Sequence, residues 1–333
     1  MGLTDSLLTS RPVGSLLLRP IARRGYQRYR ETGETPTRAY AAMRKLFAAD
    51  PNAFDDLVAR AGQEHQLLDG LDRSRGMAAG EIDQIVDALR RDGFALLSNL
   101  LPEDDCAELE GVARASECTL TGGVGAIRAR FDVEHPTAVR YDLDEVDIAA
   151  SAAAQRLIAD ETLLSVAQDY LGAAPIQDMV AMWWSTAHAT DPSSSAAQLF
   201  HFDLDRLRFL KVFVYLTDVD DDTGPHSFVR GSHHNLPDHF RHARRYEDHE
   251  VTLAFGDRVT EICGPRGTMF VADTRGLHRG RLLRRAHRLV FQMEYTTSVF
   301  GAPMNHLALS GVEPELKDIA AKYPDTYQRF TID

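Results

Sequence analysis

The chain has 333 residues, of which 44% are hydrophobic and 26% are charged, a balance typical of a globular protein with a large core. This composition excludes a disordered, collagen-like or fibrous chain. The formal net charge of −12 repels a phosphate backbone, which argues against a general nucleic-acid-binding protein.

The cysteines and the apolar runs bear on the compartment. Cys106, Cys118 and Cys263 are odd in number and show no C-x-x-C spacing, so neither a disulfide framework nor a thiolate metal site is expected. We therefore expect a protein of the reducing cytoplasm. No apolar run approaches the ~20 residues that a membrane span needs, so no membrane span is expected.

Residues 1–78 are predicted to form a helical extension that serves as a scaffold or in dimerisation. Thr35 can cap and Pro36 can open a helix through Ala48, and Asn52 can cap a second helix. This segment shows no catalytic pattern.

The next part of the chain predicts helices around a first strand. An amphipathic pattern from Glu81 changes at Gly93 into the apolar run 94–97, which indicates a helix, a turn and a strand. Two further helices are expected, one that begins at Pro102 and one over 149–171.

The half of the chain after Gly172 is rich in strand patterns. Short apolar runs separated by turn residues occur at 176–184, 207–219, 228–229, 268–272 and 288–296. Short strands preceded by helices predict an α+β protein, with a β-sandwich or jelly roll and helices packed on one sheet. We assign this domain to residues 79–305 and expect a C-terminal helical tail over 306–333.

A candidate metal site lies at His201-Phe202-Asp203. Two ligands at alternating positions of an extended segment point to the same face, and His201 alone among the histidines has a carboxylate two positions later. Two imidazoles and one carboxylate leave coordination positions open for substrate and oxygen, as in non-haem Fe(II) oxygenases. His278 is the best second histidine, and Asp205 is an alternative carboxylate.

The sequence after this pattern carries further motifs. A strand pattern ends in L-T-D-V at 216–219, and T-G-P at 223–225 and G-S-H at 231–233 follow. Over roughly residues 80–300 the chain resembles the phytanoyl-CoA dioxygenase family of Fe(II)- and 2-oxoglutarate-dependent oxygenases. The resemblance implies a double-stranded β-helix, a cupin-like jelly roll whose open end holds the iron.

The resemblance also assigns roles to single residues. It makes His201, Asp203 and His278 the ligands of Fe(II), with O2 as a further reactant, and it pairs Arg288 with the remote carboxylate of 2-oxoglutarate. Arg is suited to this task because its planar guanidinium can hold a carboxylate through two charge-assisted hydrogen bonds. The arginines at 284–285 are alternatives to Arg288.

The cosubstrate site departs from the family at one position. Some members carry a hydroxyl residue two positions after the distal histidine, where this chain has Gly280. Thr268 or Gln198 would supply a replacement polar contact, or both are structural.

Two histidines and two tryptophans near these motifs have structural interpretations. His226 and His233 lie in the G-P-H and G-S-H turns, which we expect them to stabilise. Trp183 and Trp184 are expected in the core or in the wall of a pocket.

The predicted reaction is hydroxylation of an unactivated C–H bond in a small molecule, a lipid, an amino acid or a natural-product intermediate, with release of succinate and CO2. Asp203 favours hydroxylation, because related halogenases lack this carboxylate; desaturation and ring formation remain open. The alternatives are a non-catalytic jelly-roll binding protein and a metal-dependent hydrolase that uses the same triad.

Two features bear on the substrate. Arginines cluster near His278 and in the connection 235–263 and would attract an anionic or carrier-tethered substrate, although a solvated surface is the alternative. They are Arg275, Arg279, Arg281, Arg284, Arg285, Arg241, Arg244 and Arg245. That connection is far longer than the ~4–6 residues of an ordinary one, and its apolar residues are typical of a folded segment. We expect it to form a lid over the iron face.

Overall fold

A computed structural model describes residues 11–62, 66–73, 77–121 and 127–332. Its α-helices are α1 (Arg11–Thr32), α2 (Thr37–Ala49), α3 (Pro51–Gly62), α4 (Glu81–Asp92), α5 (Glu103–Ala115), α6 (Glu145–Ala149), α7 (Ala152–Ile158), α8 (Glu161–Leu171), α9 (Asp248–Phe255) and α10 (Pro314–Lys322). Its strands are β1 (Phe94–Leu96), β2 (Cys118–Thr121), β3 (Arg128–Ala129), β4 (Arg140–Leu143), β5 (Ile176–Thr186), β6 (Phe209–Tyr215), β7 (His226–Val229), β8 (Val259–Ile262), β9 (Met269–Ala272), β10 (His278–Gly280), β11 (His287–Thr296), β12 (Leu307–Leu309) and β13 (Phe330–Ile332).

Two antiparallel sheets face each other. The large sheet has the strand order β1-β9-β6-β11-β5-β4-β2-β3, and the small sheet has the order β10-β7-β8. Apolar side chains from both meet between them, among them Phe213 and Phe270 of the large sheet and Phe228 and Ile262 of the small one. This packing confirms the predicted α+β jelly roll.

Helices cover the other face of the large sheet. Because strand side chains alternate, Leu210, Val212 and Val214 of β6 point away from the small sheet and share a core with α4 and α8. α4 presents an apolar stripe to this core and ends at Gly93, whose φ of 88° lies in the left-handed region that favours glycine.

The N-terminal helices pack against the loop that carries the H-x-D pattern. The Phe47 ring of α2 lies 5.1 Å from that of Phe202, and the Tyr40 hydroxyl donates a hydrogen bond to Asp205 Oδ1 over 3.1 Å. Thr35 Oγ1 accepts from the Gly301 amide over 3.0 Å. The extension is therefore joined to the jelly roll by a shared core.

Local side-chain hydrogen bonds change two predicted helices. The helix expected over 149–171 is divided into two, α7 and α8, because Ser151 caps α7 and Asp160 caps α8 through side-chain bonds to backbone amides. The helix expected to begin after Asn52 begins at Pro51, because Asp50 Oδ1 accepts from the Ala53 amide over 3.1 Å.

The C-terminal tail is only partly helical. α10 follows the prediction, but β12 and β13 pair in parallel on either side of it. Strands of three residues are too short to show a period in the sequence. Among the described residues, no helix combines the length and the apolar character needed to cross a membrane.

Candidate metal centre

Backbone hydrogen bonds bring the two arms of the candidate site together. His201 and His278 exchange both amide-to-carbonyl bonds, at 2.9 and 2.8 Å, and the Asp203 amide donates to the Thr274 carbonyl over 2.8 Å. Residues far apart in sequence therefore present their side chains to one point at the open end of the jelly roll.

The three predicted ligands form one cluster. Their ligand atoms all lie within 4.8 Å of one another, with His201 Nε2 3.8 Å from Asp203 Oδ1 and His278 Nε2 3.5 Å from Asp203 Oδ2. Asp205 lies outside this cluster and accepts from Tyr40 instead.

Both imidazoles are oriented for metal binding. His201 Nδ1 lies 2.9 Å from the Leu199 carbonyl, and His278 Nδ1 lies 3.0 Å from the Gly276 carbonyl. A carbonyl can only accept, so Nδ1 carries the proton and the Nε2 lone pair faces the centre. Burial lowers the pKa of His201 to about 3 and also lowers the pKa of His278, so both are neutral, the form that binds metals.

Lys211 contacts the carboxylate of the cluster and was not predicted from the sequence. Its Nζ donates to Asp203 Oδ2 over 2.6 Å, and Thr274 Oγ1 donates to the same oxygen over 2.8 Å. Burial would raise the pKa of Asp203, but Lys211 and the two histidines lower it below its ordinary value. Oδ2 is thus occupied, which leaves Oδ1 for a metal.

A cavity of about 310 Å³ opens beside the cluster, between the two sheets. The inward side chains of β6 and β11 form its wall, with Phe213 and Tyr215 from one strand and Val290 and Gln292 from the other. The wall therefore combines apolar side chains with polar and charged ones.

Arg288 lies in this cavity as a buried cation. Within the described ranges its Nε and Nη1 have no hydrogen-bond partner, and Nη2 makes only a 3.4 Å bond to Ser185 Oγ. Burial lowers the pKa of Arg288 to about 10, so the side chain stays charged at neutral pH. A buried charge needs a partner, and the remote carboxylate of 2-oxoglutarate fits that need.

The neighbouring arginines have other partners. Arg284 Nη1 lies 3.4 Å from Asp222 Oδ1, and Arg285 pairs with Asp220. Neither lines the cavity, so the geometry favours Arg288 over both alternatives.

Thr268 and Gln198 do not reach the cavity. Thr268 Oγ1 donates to the Pro265 carbonyl over 2.7 Å, and Gln198 Oε1 accepts from the Ser193 amide over 2.8 Å. Both side chains thus stabilise local turns, and the structural alternative describes them better. Both lie close in sequence to site residues, but their side chains are turned away from the site.

His226 is the first residue of β7 and lies in the cavity wall, so the expectation that it lies in a turn is wrong. Its ring stacks on that of His278 with centroids 5.4 Å apart and planes 6° apart, and burial lowers its pKa well below the ordinary value. Among the described residues its Nε2 has no partner. His233 lies outside the cavity, as expected of a turn residue.

The two tryptophans divide between wall and core. Trp183 lines the cavity and carries the Arg140 guanidinium 4.3 Å from its ring centre. Trp184 points to the helical face, where Nε1 donates to the Ala113 carbonyl over 3.3 Å. Their opposite directions follow from strand alternation along β5.

Most of the predicted arginine cluster makes ion pairs away from the cavity. Arg275 pairs with Asp273 and Arg279 with Asp248. Of the arginines singled out for substrate binding, Arg245 lines the cavity.

The connection 235–263 lies on the same side of the jelly roll as the triad of His201, Asp203 and His278. Tyr246 exchanges backbone hydrogen bonds of 3.1 and 2.9 Å with Phe200, next to His201, and Arg245 reaches the cavity. The segment contains α9 and β8 and shares a core with the N-terminal helices. It is therefore packed in place at the edge of the cavity.

Comparisons with known proteins agree with this geometry at the family level. The family profile described as Phytanoyl-CoA dioxygenase (PhyH) matches residues 89–281. No curated protein sequence matches the chain significantly.

Similarity to solved structures is partial. AviO1 from Streptomyces viridochromogenes Tue57 is 20% identical, with a TM-score of 0.47, and the match covers 68% of this chain and 100% of that chain. The epimerase SnoN from nogalamycin biosynthesis, solved with Fe3+, alpha ketoglutarate and nogalamycin RO, is 17% identical over 66% of this chain and 84% of that one, with a TM-score of 0.47. EctD from S. alaskensis, solved with 2-oxoglutarate and 5-hydroxyectoine, is 18% identical over 70% and 83% of the two chains, with a TM-score of 0.47.

Proposed function

The chain belongs to the phytanoyl-CoA dioxygenase family, whose members are Fe(II)- and 2-oxoglutarate-dependent oxygenases, and we propose that it hydroxylates an unactivated C–H bond of an anionic small molecule. The observation that carries this proposal is the pairing, in one cavity, of the His201, Asp203 and His278 cluster with the uncompensated Arg288. A metal-dependent hydrolase would leave Arg288 without a role, and a binding protein would have no need of the cluster.

The donor set fits Fe(II), and the cation fits 2-oxoglutarate. Two neutral imidazoles and one carboxylate would hold the metal, and Arg288 would hold the remote carboxylate of the cosubstrate. When bound, these groups together with O2 supply the oxidising chemistry, with succinate and CO2 as the products of the cosubstrate.

The protein's own contribution is the orientation of the metal ligands. The Leu199 and Gly276 carbonyls fix the two imidazoles, and Lys211 and Thr274 hold one oxygen of the carboxylate. Ligands held in this way lose little freedom when the metal binds.

The charge of the cavity supports an anionic substrate. Arg140 and Arg245 line it in addition to Arg288 and Lys211. Arg140 pairs with Asp142 and Lys211 with Asp203, both at 2.6 Å, whereas within the described residues Arg245 has no ion-pair partner. A carboxylate, a phosphate or a carrier-tethered thioester would meet the charge of Arg245 in the same cavity as the metal ligands. Arg245 belongs to the connection 235–263, so this segment would help select the substrate.

The triad can be tested by single alanine substitutions. His201→Ala, Asp203→Ala and His278→Ala should each abolish succinate formation from 2-oxoglutarate in the presence of Fe(II), because each removes a metal ligand. The measurement is succinate released by the purified variants, with circular dichroism as the check that the fold is kept.

His306→Ala, which replaces an exposed histidine outside the cavity, is the matched control and should keep wild-type turnover. Full activity in any one of the three triad variants would remove that residue from the metal site.

A further inference from the structure

The register of the small sheet places His226 directly opposite Gly280. β7 and β10 run antiparallel, with His226 paired to Gly280 and Phe228 paired to His278. Paired residues on neighbouring strands carry their side chains on the same face of a sheet. The cavity is lined at this point by His226, by Gly280 and by Arg288.

The missing side chain at position 280 leaves room for Arg288. A Cβ built on Gly280 would lie 2.9 Å from Arg288 Nη2, which is too close for an unshifted guanidinium. The position where some family members carry a hydroxyl group is therefore taken up by the cation itself, and a second polar contact has to come from another strand.

His226 is the group that faces this point. Its Nε2 is buried and, in the described part of the chain, has no hydrogen-bond partner. The ring is held between aromatic neighbours, with centroids 5.1 Å from Phe213 and 5.3 Å from Phe270. Buried polar groups are rarely left unpaired. The unpaired Nε2 of His226 and the unpaired Nε and Nη1 of Arg288 belong to side chains that line one cavity, which points to an acceptor that binds to both.

We propose that His226 Nε2 donates a hydrogen bond to the remote carboxylate of 2-oxoglutarate, and that it replaces the hydroxyl contact which Gly280 cannot make. This inference rests on the proposed function. A neutral imidazole adds a donor without adding a third charge beside Arg288 and the metal. The remote carboxylate is the relevant end, because Gly280, the strand partner of His226, is also the residue next to Arg288 Nη2.

The test compares two side chains of equal length at position 226. In His226→Gln the amide nitrogen keeps a donor near the place of Nε2, whereas His226→Met has no donor. Fe(II)-loaded protein is titrated anaerobically with 2-oxoglutarate, and binding is followed by the visible charge-transfer absorption. We expect about a 10-fold or greater loss of affinity in His226→Met, since a hydrogen bond to a charged group is worth that much, and a loss below about threefold in His226→Gln.

A second titration uses 2-oxobutanoate, which lacks the remote carboxylate. It distinguishes a contact between His226 and that carboxylate from a general effect of His226 on the packing of the cavity. The affinity for 2-oxobutanoate should be the same in the wild type and in His226→Met, and His233→Met, a buried histidine outside the cavity, should leave both titrations unchanged. Should His226→Met fail to fold, His226→Leu supplies the same comparison.

Two outcomes would overturn the inference: wild-type affinity for 2-oxoglutarate in His226→Met, or an equal loss for both 2-oxo acids. If the wild type itself gave no absorption band with Fe(II) and 2-oxoglutarate, the proposed function would fail, and that result is distinct from either.

Discussion

One carboxylate oxygen of Asp203, Oδ2, accepts hydrogen bonds from Lys211 and Thr274. The other oxygen, Oδ1, is left for a metal. The same lysine lies 3.6 Å from Glu294, its cross-strand partner on β11, and burial raises the pKa of Glu294 well above its ordinary value. Because the raised pKa favours the neutral form of Glu294, Lys211 is the main positive charge that balances Asp203 when no metal is bound.

Replacement of Lys211 should affect the apoprotein more than the iron-loaded protein. Lys211→Met leaves Asp203 buried without its cation, and removing one partner of a buried pair costs about 3–5 kcal/mol. Because Fe(II) would also balance this carboxylate, iron should restore part of the loss. The measurement is the free energy of unfolding in urea, with and without Fe(II), under anaerobic conditions.

Lys317→Met, an exposed substitution on α10, is the control and should change neither value. An equal loss of stability with and without iron would contradict the role given to Lys211.

Among the three candidate cosubstrate arginines, Arg288 is expected to bind 2-oxoglutarate and Arg284 is not. Arg288→Ala should raise the Michaelis constant for 2-oxoglutarate by roughly one to two decades, the effect of losing a charge-assisted pair worth about 1.5–3 kcal/mol. The constant for the prime substrate should change far less. Steady-state kinetics measures both, with Arg284→Ala as the control; the reverse pattern would move the carboxylate site to Arg284.

At the scale of elements, the turn between β9 and β10 connects the helical layer to the metal centre. Tyr170 of α8 donates to Asp273 Oδ2 over 2.7 Å, and Arg275 pairs with the same carboxylate at 2.5 Å. Burial would raise the pKa of Asp273, but Arg275 lowers it to about 2. This network sets the path of the chain into His278.

Removal of the Asp273 charge should destabilise the fold in a pH-dependent way. Asp273→Asn should cost about 3–5 kcal/mol at pH 7, because it leaves the buried Arg275 unpaired. The folded pKa lies below the unfolded value of 3.8, so the contribution of Asp273 is complete above about pH 4 and is lost as the pH falls towards 2.

The free energy of unfolding in urea should therefore differ between the wild type and Asp273→Asn, and this difference should become smaller below about pH 4. Asp325→Asn, at an exposed position, should show no such difference. A constant difference between the two proteins from pH 7 to pH 2 would contradict the assigned network.

Local patterns predicted those parts of the site that depend on neighbours in sequence. The H-x-D spacing put His201 and Asp203 on one face, and the family resemblance assigned Arg288 to the cosubstrate. The positions of Lys211 and His226 in the site depend on their cross-strand partners, Glu294 and Gly280. Pairing between strands that are distant in sequence leaves no local sequence pattern. An inward lysine in an otherwise apolar strand was the one available signal for Lys211.

At the scale of the whole molecule, the N-terminal helices and the jelly roll share a core below the metal centre. The ring centroid of Phe47 lies 5.3 Å from that of Phe54 in α3 and 5.1 Å from that of Phe202 in the H-x-D loop. The expected division at residue 78 stays a prediction, but these contacts link the stability of the extension to that of the loop. We expect a scaffold role for the extension.

Truncation of one aromatic side chain tests this link. Phe47→Ala should lower the free energy of unfolding by about 3–5 kcal/mol through loss of buried contacts, and unfolding should stay a single transition. Urea denaturation followed by both far-UV circular dichroism and tryptophan fluorescence measures this, with Leu16→Ala, at an exposed position, as the control. A separate early transition that leaves the tryptophan signal unchanged would show that the extension folds independently.

The most direct measurement of the central claim is anaerobic absorption spectroscopy of the purified wild type. If His201, Asp203 and His278 hold Fe(II) and Arg288 holds 2-oxoglutarate, a visible charge-transfer band should appear only when both are added. It should saturate at one 2-oxoglutarate per chain and be lost in Asp203→Ala. Absence of the band in the wild type, or its persistence in His278→Ala, would contradict the account.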